Sequence, residues 1–482
     1  MFRLLTLFSC LTCCFGLPID SPADGRPNIL FVAVDDLRPE LGCYGAGTLT
    51  PHFDALASSG IRFDRAYCQQ AVCGASRLSL MGGRYPTSLG EHTYHVEGWR
   101  KRHPDLLTLQ QHFGQSGYRT VGLGKIYHGA RGPGVDPENW DEWIVVNGAS
   151  YALEESLRVL REQPRPRAGS RAKGPSTERA DVDDDAYTDG ARAVEGAKQL
   201  KKLAAAGKPF FLAVGFTKPH LPFNAPARYW DLYDRSQFAM PPNRGVPPGY
   251  PDFARNASAG ELRSYADIER RVPAEFPDPL NRRLLHGYAA CVSYTDANLG
   301  RLLEALDESG AAENTIVVLW GDHGWKLGDH SSWCKHTNFE VDTRVPLLMR
   351  VPGKAAGHES EALVELVDLY PTLCELAGLP IPGHVQGRSF ASLFDDPKAS
   401  HRESAYSMYP HGKFAGHSIR TSTHRYTEWF RREDGKRVAR VLTDLVADPG
   451  ETSNVLDDPG HSAAREHAAR KLAKRVAEAL AP

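Results

Sequence analysis

The sequence predicts an α/β protein with one large, mostly parallel sheet flanked by helices, followed by a smaller α+β unit. Three continuous apolar runs lead to this prediction, at residues 29–34, 210–216 and 315–320. Runs of this length that are rich in β-branched side chains are typical of strands buried on both faces. Helical patterns separate the runs, and strands that alternate with helices favour a doubly wound sheet.

The segments between the runs predict the helices that cover the sheet. Residues 51–60 are expected to be helical, with Pro51 in the first turn, where proline is favoured. Residues 185–206 and 282–309 also have a helical pattern. Residues 158–185 are polar and rich in Arg, Pro, Gly and Ser, so we expect an exposed loop. Its three final aspartates, at 183–185, are interpreted as a solvated helix start, with cation binding as the alternative.

Beyond residue 395 the pattern changes to short strands. Residues 406–408, 417–420, 425–430 and 438–445 are strand-like, and residues 463–480 form an amphipathic helical pattern. We therefore predict a leader at 1–24, a main domain at 25–395, and a C-terminal subdomain at 396–482. The subdomain would contain a small antiparallel sheet and a terminal helix.

The composition indicates an exported globular protein. The chain has 482 residues, of which 41% are apolar and 24% charged, and a formal net charge of −2. These values are ordinary for a soluble domain and give no overall attraction for nucleic acid. Arg3 and the apolar residues 4–11 are typical of a secretory signal peptide, and the run is too short to span a membrane. We expect a periplasmic, secreted or lysosome-like location without a stable membrane span. Lipid attachment at Cys10 is the alternative.

One cysteine stands out from the others. The six cysteines beyond the leader show no paired spacing, so most are expected to be buried thiols. Cys73, however, opens a helical stretch and lies four residues before Arg77. A helix N-terminus and a cation lower a thiol pKa, which would make Cys73 a possible nucleophile. A structural cysteine is the equally open alternative.

Two acidic clusters follow two of the predicted strands. Asp35 and Asp36 end the first run, and Asp322 and His323 follow the run at 315–320. Ligands of open α/β sheets bind at the carboxyl ends of the strands, and calcium prefers carboxylate oxygens. The two clusters together favour a metal site, although each aspartate alone could cap a helix.

The segment from Cys73 to Arg77, C-G-A-S-R, resembles the C-x-P-S-R signature of type I sulfatases, with Ala75 in place of the proline. The resemblance extends from residue 27 to 87 and continues in order along nearly the whole mature chain. The further matching elements lie at residues 124–128, 218–223, 321–324, 335 and 444–454. Within this family, residues 34–45, 69–73, 211–220, 323–325 and 418–421 are most similar to the iduronate-2-sulfatase group.

This resemblance implies an alkaline-phosphatase-like fold, with a catalytic domain at 25–395, and a sulfuric ester hydrolase. A formylglycine-generating or sulfatase-maturing enzyme would convert Cys73 to Cα-formylglycine. The substrate would be a sulfated glycan or sugar, and the iduronate-type likeness suggests a 2-O-sulfated uronic acid. The resemblance assigns one calcium ion to these positions: Asp35, Asp36, modified Cys73, Asp322 and His323.

The same resemblance gives roles to the surrounding side chains. Arg77, Lys125 and Lys335 would neutralise the charge of the sulfate group. His220 or Lys335 would protonate the departing sugar oxygen, and His128 would take a proton from the nucleophile. The substrate itself would contact these side chains: Lys125, His220, Trp325 and Lys335.

Three alternatives remain at this stage. A phosphate or phosphonate monoester hydrolase of the same superfamily shares the metal clusters, and a sulfatase for another polysaccharide ester shares the entire framework. A non-catalytic glycan-binding relative would have lost Cys73, Arg77 or a metal aspartate, all of which are present. The basic residues 100–103 either attract a polyanionic glycan or form a solvated face.

Overall fold

The computed structural model describes residues 25–94, 96–129, 131–163, 173–269 and 275–481. The predicted leader at 1–24, including Cys10, lies outside the described residues. In the described part of the chain, every helix is too short or too polar to cross a membrane.

The strands of the described chain form one large sheet, one four-stranded sheet and two short pairs. They are β1 (Asn28–Asp35), β2 (Ile61–Tyr67), β3 (Arg119–Gly124), β4 (Glu142–Ile144), β5 (Thr177–Ala180), β6 (Phe210–Pro219), β7 (Phe223–Pro226), β8 (Thr315–Gly321), β9 (Lys326–Leu327), β10 (Trp333–Cys334), β11 (Arg344–Val345), β12 (Leu347–Arg350), β13 (His358–Glu365), β14 (Ala405–His411), β15 (Phe414–Arg420), β16 (His424–Arg431) and β17 (Arg437–Asp444).

Helices connect and cover these strands. They are α1 (Pro51–Ser58), α2 (Cys73–Gly82), α3 (Pro86–Leu89), α4 (Trp99–Arg102), α5 (Leu109–Gln115), α6 (Glu154–Glu162), α7 (Thr188–Ala205), α8 (Ala227–Trp230), α9 (Asp278–Glu308), α10 (Glu340–Thr343), α11 (Leu369–Leu376) and α12 (Ser462–Leu480).

The large sheet has the order β11-β2-β12-β8-β1-β6-β3-β4, and β13 pairs with β2. At its centre, β1 lies parallel to both β6 and β8, whereas β12 lies antiparallel to β8. Alternate residues of β1 point to opposite faces, and both faces are buried. Leu30 packs in the core that contains α7 and α9 residues, and Phe31 packs in the core that contains α2 and α11 residues. The predicted mixed, mostly parallel sheet flanked by helices is confirmed.

The exposed loop predicted at 158–185 is wrong in part. Helix α6 extends to Glu162, and β5 pairs in parallel with β7. Asp183 and Asp185 are exposed at the start of a short 3-10 helix, as interpreted, whereas Asp184 between them is buried and forms an ion pair with Arg228. The polar composition misled this prediction because buried ion pairs and hydrogen bonds satisfy these side chains. Glu178, for example, is buried and accepts a hydrogen bond of 2.6 Å from the Tyr187 hydroxyl.

The C-terminal region forms the antiparallel sheet β14-β15-β16-β17. Helix α12 packs on it through Ala468 and Leu472, which share a core with Tyr426 of β16. The guanidinium of Arg475 in α12 donates to both oxygens of Glu365, at 2.7 and 2.9 Å. Glu365 is the last residue of β13, so this buried contact ties the terminal helix to the large sheet.

Candidate active site and metal centre

The ends of β1 and β8 place two acidic clusters side by side. The strands pair in parallel up to Val34 and Gly321, so the residues that follow emerge at the same edge of the sheet. The backbone amide of Asp36 donates to Oδ1 of Asp322 at 3.1 Å. Asp36 has a φ of 57°, in the left-handed region that non-glycine residues rarely adopt. The tight turn holds its carboxylate in the buried centre.

Cys73 lies directly against this centre at the first position of α2. Its Sγ is 3.1 Å from Nε2 of His323. The other ring nitrogen of His323 lies 3.0 Å from the Gly324 carbonyl oxygen, and donation from Nδ1–H leaves the Nε2 lone pair facing the centre. The metal-ligating atoms of this set all lie within 4.8 Å of one another: Asp35, Asp36, Cys73 and His323. Four of the five predicted metal ligands therefore come together.

Asp322, the fifth predicted ligand, lies beside this set and is engaged by other groups. Its Oδ1 accepts from the amides of Asp36 and His323, and its Oδ2 accepts from Nε of Arg77 at 2.8 Å. Its Oδ2 also lies 3.5 Å from Nε2 of His323. Asp322 thus links the predicted ligands to the cations around them.

Three buried cations surround the carboxylates. Arg77 is completely buried and also reaches Oδ1 of Asp35 at 3.2 Å. Lys125 forms a close ion pair with Oδ2 of Asp35, and Nζ of Lys335 lies 2.7 Å from Oδ1 of Asp36. Arg77 contacts two carboxylates, those of Asp35 and Asp322, and has no exposed surface. It therefore holds these acidic side chains in place.

The two neighbouring aspartates differ in their pKa values. Burial raises the pKa of Asp35, but Lys125, His220 and other cations outweigh burial and hold it well below its ordinary value. Burial raises the pKa of Asp36 well above its ordinary value, since Lys335 offsets only part of that cost. Oδ2 of Asp36 is buried without a hydrogen-bond partner among the described residues. A bound cation would satisfy this oxygen and favour the charged carboxylate.

The expectation that the helix N-terminus and Arg77 lower the pKa of Cys73 is wrong. Burial, assisted by the negative charge of Asp35, raises the pKa of the Cys73 thiol to about 12. Lys335 and Lys125 lower it by less. The unmodified side chain is therefore a neutral thiol near pH 7 and a poor nucleophile.

A cavity of about 590 Å³ opens above this centre. Such a volume falls in the range of small-molecule sites. A cavity of similar size, about 620 Å³, lies beside α1 and α9 and contains none of the predicted site residues. The first cavity is lined by the start of α2, by loop residues and by the end of β14 with its turn: Cys73, Tyr94, His128, Lys173, His220, Glu261, Lys335, His336, Tyr409, Pro410, His411 and Gly412.

The two predicted catalytic histidines both line this cavity. Burial and the charge of Lys125 lower the pKa of His128 to about 3, so its ring is neutral at physiological pH. Nδ1 of His128 has no hydrogen-bond partner within the described chain. Nε2 of His220 lies 2.8 Å from Oε1 of Glu261 and 3.9 Å from carboxylate oxygens of Asp35 and Asp36. Burial also lowers the pKa of His220.

Glu261 is a site residue that sequence reasoning missed. It contacts both His220 and Lys335, the latter at 3.3 Å, and the nearby cations hold its pKa well below the ordinary value against the effect of burial. Glu261 lies just before a short 3-10 turn at Leu262–Ser264, in a long irregular segment. Such a segment offers no periodicity that would indicate where its side chains point.

Trp325 does not fit its predicted place as a substrate contact. Its side chain is fully buried and leaves no surface for a ligand. The ring lies beneath Nζ of Lys335, at 4.9 Å, and 6.4 Å from the ring of His220. The Trp325 ring therefore packs beneath two residues of the cavity wall, Lys335 and His220.

The basic residues at 100–103 are largely neutralised. Arg100 pairs with Asp136 at 2.6 Å, and Arg102 pairs with Glu91 at 2.5 Å. His103 also lies 3.3 Å from Glu91. These pairs favour a structural, solvated face over an attractive patch for a polyanion.

Comparison with known proteins agrees with the fold. The sulfatase family model matches residues 27–379, and a model described as the C-terminal region of N-sulphoglucosamine sulphohydrolase matches residues 328–478. The chain belongs to the sulfatase family and is a sulfuric ester hydrolase.

Among curated proteins, the chain is similar to two iduronate 2-sulfatases. It is 32% identical to that of Mus musculus, over 94% of this chain and 96% of the relative. It is 34% identical to that of Homo sapiens, over 83% of this chain and 84% of the relative. The likeness to the iduronate-2-sulfatase group is confirmed.

Solved structures share the fold at lower identity. One was solved in complex with its substrate D-glucosamine-2-N,6-O-disulfate and has a TM-score of 0.75 at 22% identity, covering 94% of this chain and 98% of that chain. A phosphonate monoester hydrolase from Silicibacter pomeroyi has a TM-score of 0.71 at 23% identity, covering 93% and 95%. The fold alone therefore does not distinguish hydrolysis of sulfate esters from hydrolysis of phosphonate esters.

Proposed function

We propose that this sulfatase removes the 2-O-sulfate of a uronic acid in a sulfated glycan, with formylglycine at position 73 and one calcium ion. The observation that carries the proposal is the cluster of Asp35, Asp36, Cys73 and His323 at the base of the cavity. The sugar is inferred from the iduronate 2-sulfatases to which the chain is 32–34% identical.

The donor set fits calcium better after modification of Cys73 than before it. Carboxylate oxygens suit calcium, whereas a thiolate sulfur favours softer metals such as zinc. The Cys73 sulfur lies 3.1 Å from Nε2 of His323, and conversion to a hydrated aldehyde would replace this sulfur by hydroxyl oxygen. The modification would thus change the preference of the site towards calcium.

The ion would be held by Asp35, Asp36, His323 and the modified residue at position 73, with Asp322 beside them. Calcium would supply a positive centre that polarises the sulfate, and the hydrated formylglycine would supply the attacking hydroxyl.

The protein's own side chains provide charge and proton transfer. Lys125 and Lys335 lie within ion-pair distance of the carboxylates and present positive charge to a bound sulfate group. His220 or Lys335 protonates the departing sugar oxygen, and Glu261 contacts both of these side chains. His128, which is neutral, accepts a proton from the group at position 73.

The sugar is expected to contact the cavity wall above this centre. Lys173, His336 and His411 line this wall, and their cationic or hydrogen-bonding side chains suit a uronate carboxylate. We further infer that residues 25–395 carry the chemistry, that 396–482 complete the wall, and that the leader at 1–24 directs export.

The first experiment combines peptide mass spectrometry across Cys73 with sulfate release from 2-O-sulfated uronic acid disaccharides. The protein would be produced in a host that has a sulfatase-maturing enzyme. We expect a mass loss that matches replacement of the thiol by an aldehyde, sulfate release that chelation abolishes and calcium restores, and no release by Cys73→Ala. An unmodified Cys73 in protein with full turnover would contradict the formylglycine mechanism.

An aryl phosphonate serves as the comparison substrate because the fold is shared with a phosphonate monoester hydrolase. Faster turnover of the phosphonate than of the matching aryl sulfate would favour that second function. Turnover of aryl sulfate without sulfate release from the uronate disaccharide would contradict the proposed uronic acid substrate but agree with sulfatase activity.

A further inference from the structure

A second cluster of metal-ligating side chains lies in the C-terminal sheet, away from the active-site cavity. His424 is the first residue of β16, and Asp444 is the last residue of β17, where the two form a cross-strand pair. His461 lies immediately before α12. Ligand atoms of these three side chains all lie within 4.8 Å of one another, and none of the three lines the active-site cavity.

The separation of the two imidazoles matches that of two ligands of one zinc ion. Nε2 of His424 and Nδ1 of His461 are 3.3 Å apart. Histidine nitrogens bind zinc at about 2.0–2.1 Å, so two of them at a tetrahedral angle lie roughly 3.3 Å apart. The Asp444 carboxylate supplies an anionic ligand, with an oxygen within 4.8 Å of a ring nitrogen of each histidine.

The remaining ring nitrogens have outer partners, as in known zinc sites. Nδ1 of His424 lies 2.8 Å from the hydroxyl of Thr423, which fixes the orientation of the ring. Nε2 of His461 lies 3.9 Å from Oδ2 of Asp458, on the side away from His424. With Nδ1 of His424 and Nε2 of His461 protonated, the two facing nitrogens both present lone pairs.

The Asp444 carboxylate is held in place by its own chain. The amides of Val446 and Ala447 both donate to its Oδ1, at 2.9 and 3.2 Å.

We propose that His424, Asp444 and His461 form a structural zinc site, with water completing the coordination. The ion joins the edge of the C-terminal sheet to the start of the terminal helix. Imidazole and carboxylate ligands suit zinc, whereas the oxygen-rich centre proposed around Asp35 and Asp36 suits calcium. The site is separate from the proposed catalytic chemistry.

The test measures zinc binding to the full chain by isothermal titration with zinc chloride, in the presence of saturating calcium. We expect wild type to bind one zinc ion per chain more than His461→Gln, and zinc to raise the unfolding temperature of wild type but not that of His461→Gln. His467→Gln, an exposed histidine on the same helix, is the matched control and is expected to behave as wild type. Turnover of an aryl sulfate under calcium verifies that each variant is folded.

Equal zinc stoichiometry in wild type and His461→Gln would overturn the proposal, as would a zinc-induced rise in unfolding temperature that His461→Gln retains. If His461→Gln fails to fold, His424→Gln takes its place with the same expected loss of one zinc ion.

Discussion

At the scale of single residues, local signals at strand ends predicted much of the site. Asp35 ends β1, Asp36 follows it, and His323 lies two residues beyond β8. Parallel pairing of these strands brings the three side chains together with Cys73. The spacing of residues along the chain could not reveal Glu261, because an irregular segment carries it into the cavity. Burial of Trp325 was likewise hidden, since an aromatic residue after a glycine is equally compatible with a cavity wall and a core.

Glu261→Ala tests whether this carboxylate positions the proton donor. The substitution removes the partner of His220 and one of the counter-charges of Lys335. We expect kcat for an aryl sulfate to fall about 100-fold with a smaller change in KM, because a small misplacement of a catalytic group has an effect of this size.

Glu261→Gln retains a hydrogen-bonding side chain and should keep more activity than Glu261→Ala. Glu313→Ala, an exposed glutamate, should equal wild type. A kcat for Glu261→Ala within a factor of two of wild type would show that His220 needs no such partner.

At the scale of elements, the sequence predicted where α1 starts, but it could not predict the side chain from another helix that caps this start. Proline at the first helical position was predicted correctly, and it removes one of the unpaired amides of the first turn. The next two amides, of His52 and Phe53, donate to Oδ1 of Asp296 at 3.0 and 2.8 Å. Asp296 lies in α9, so no local capping motif in the sequence could indicate it.

Asp296 should make the stability depend on pH. Burial raises the pKa of Asp296 to about 7, against an unfolded value of about 3.9. Between these two pKa values the folded state therefore holds a proton that the unfolded state has lost. The resulting contribution to the free energy of unfolding is complete below about pH 4 and disappears as the pH rises through 7.

Asp296→Asn keeps an acceptor for both amides and does not titrate. Between pH 5 and 8 the free energy of unfolding of wild type should fall by roughly 2–3 kcal/mol more than that of Asp296→Asn. Urea unfolding at intervals of one pH unit measures this difference. Asp307→Asn, exposed on the same helix, should follow wild type, and parallel curves for wild type and Asp296→Asn would contradict the assignment.

At the scale of the whole molecule, the sequence predicted the type of sheet, and only the family resemblance predicted the particular fold. Buried apolar runs identify strands such as β1 and β8 because both faces need hydrophobic side chains. They do not encode which strands are neighbours. Short strands such as β11 have no periodicity of their own, so the order β11-β2-β12-β8-β1-β6-β3-β4 lay beyond local reasoning.

The attachment of the C-terminal sheet to the rest of the molecule depends on Arg475. Its guanidinium contacts buried Glu365 and the hydroxyl of Tyr85, at 2.6 Å. Arg475→Met leaves the Glu365 carboxylate with one fewer cation, and loss of one partner of a buried pair costs about 3–5 kcal/mol. Urea unfolding and limited proteolysis of α12 measure the loss.

Arg470→Met is the control on the same helix, because Arg470 is 71% exposed and its ion pair with Glu466 is worth little. If Arg475→Met and Arg470→Met unfold at the same urea concentration, the buried pair does not secure the terminal helix.

The hairpin between β14 and β15 has a consequence for how such enzymes diversify. Tyr409 to Gly412 belong to the end of β14 and its turn, yet they border a cavity whose reactive groups, such as Cys73 and His220, come from the N-terminal part of the chain. Mutations in this short turn can alter the shape offered to a new sugar while the carboxylates and cations beneath are inherited unchanged. The shape of the wall that would meet the sugar and the charged groups beneath it are therefore encoded by separate stretches of the chain.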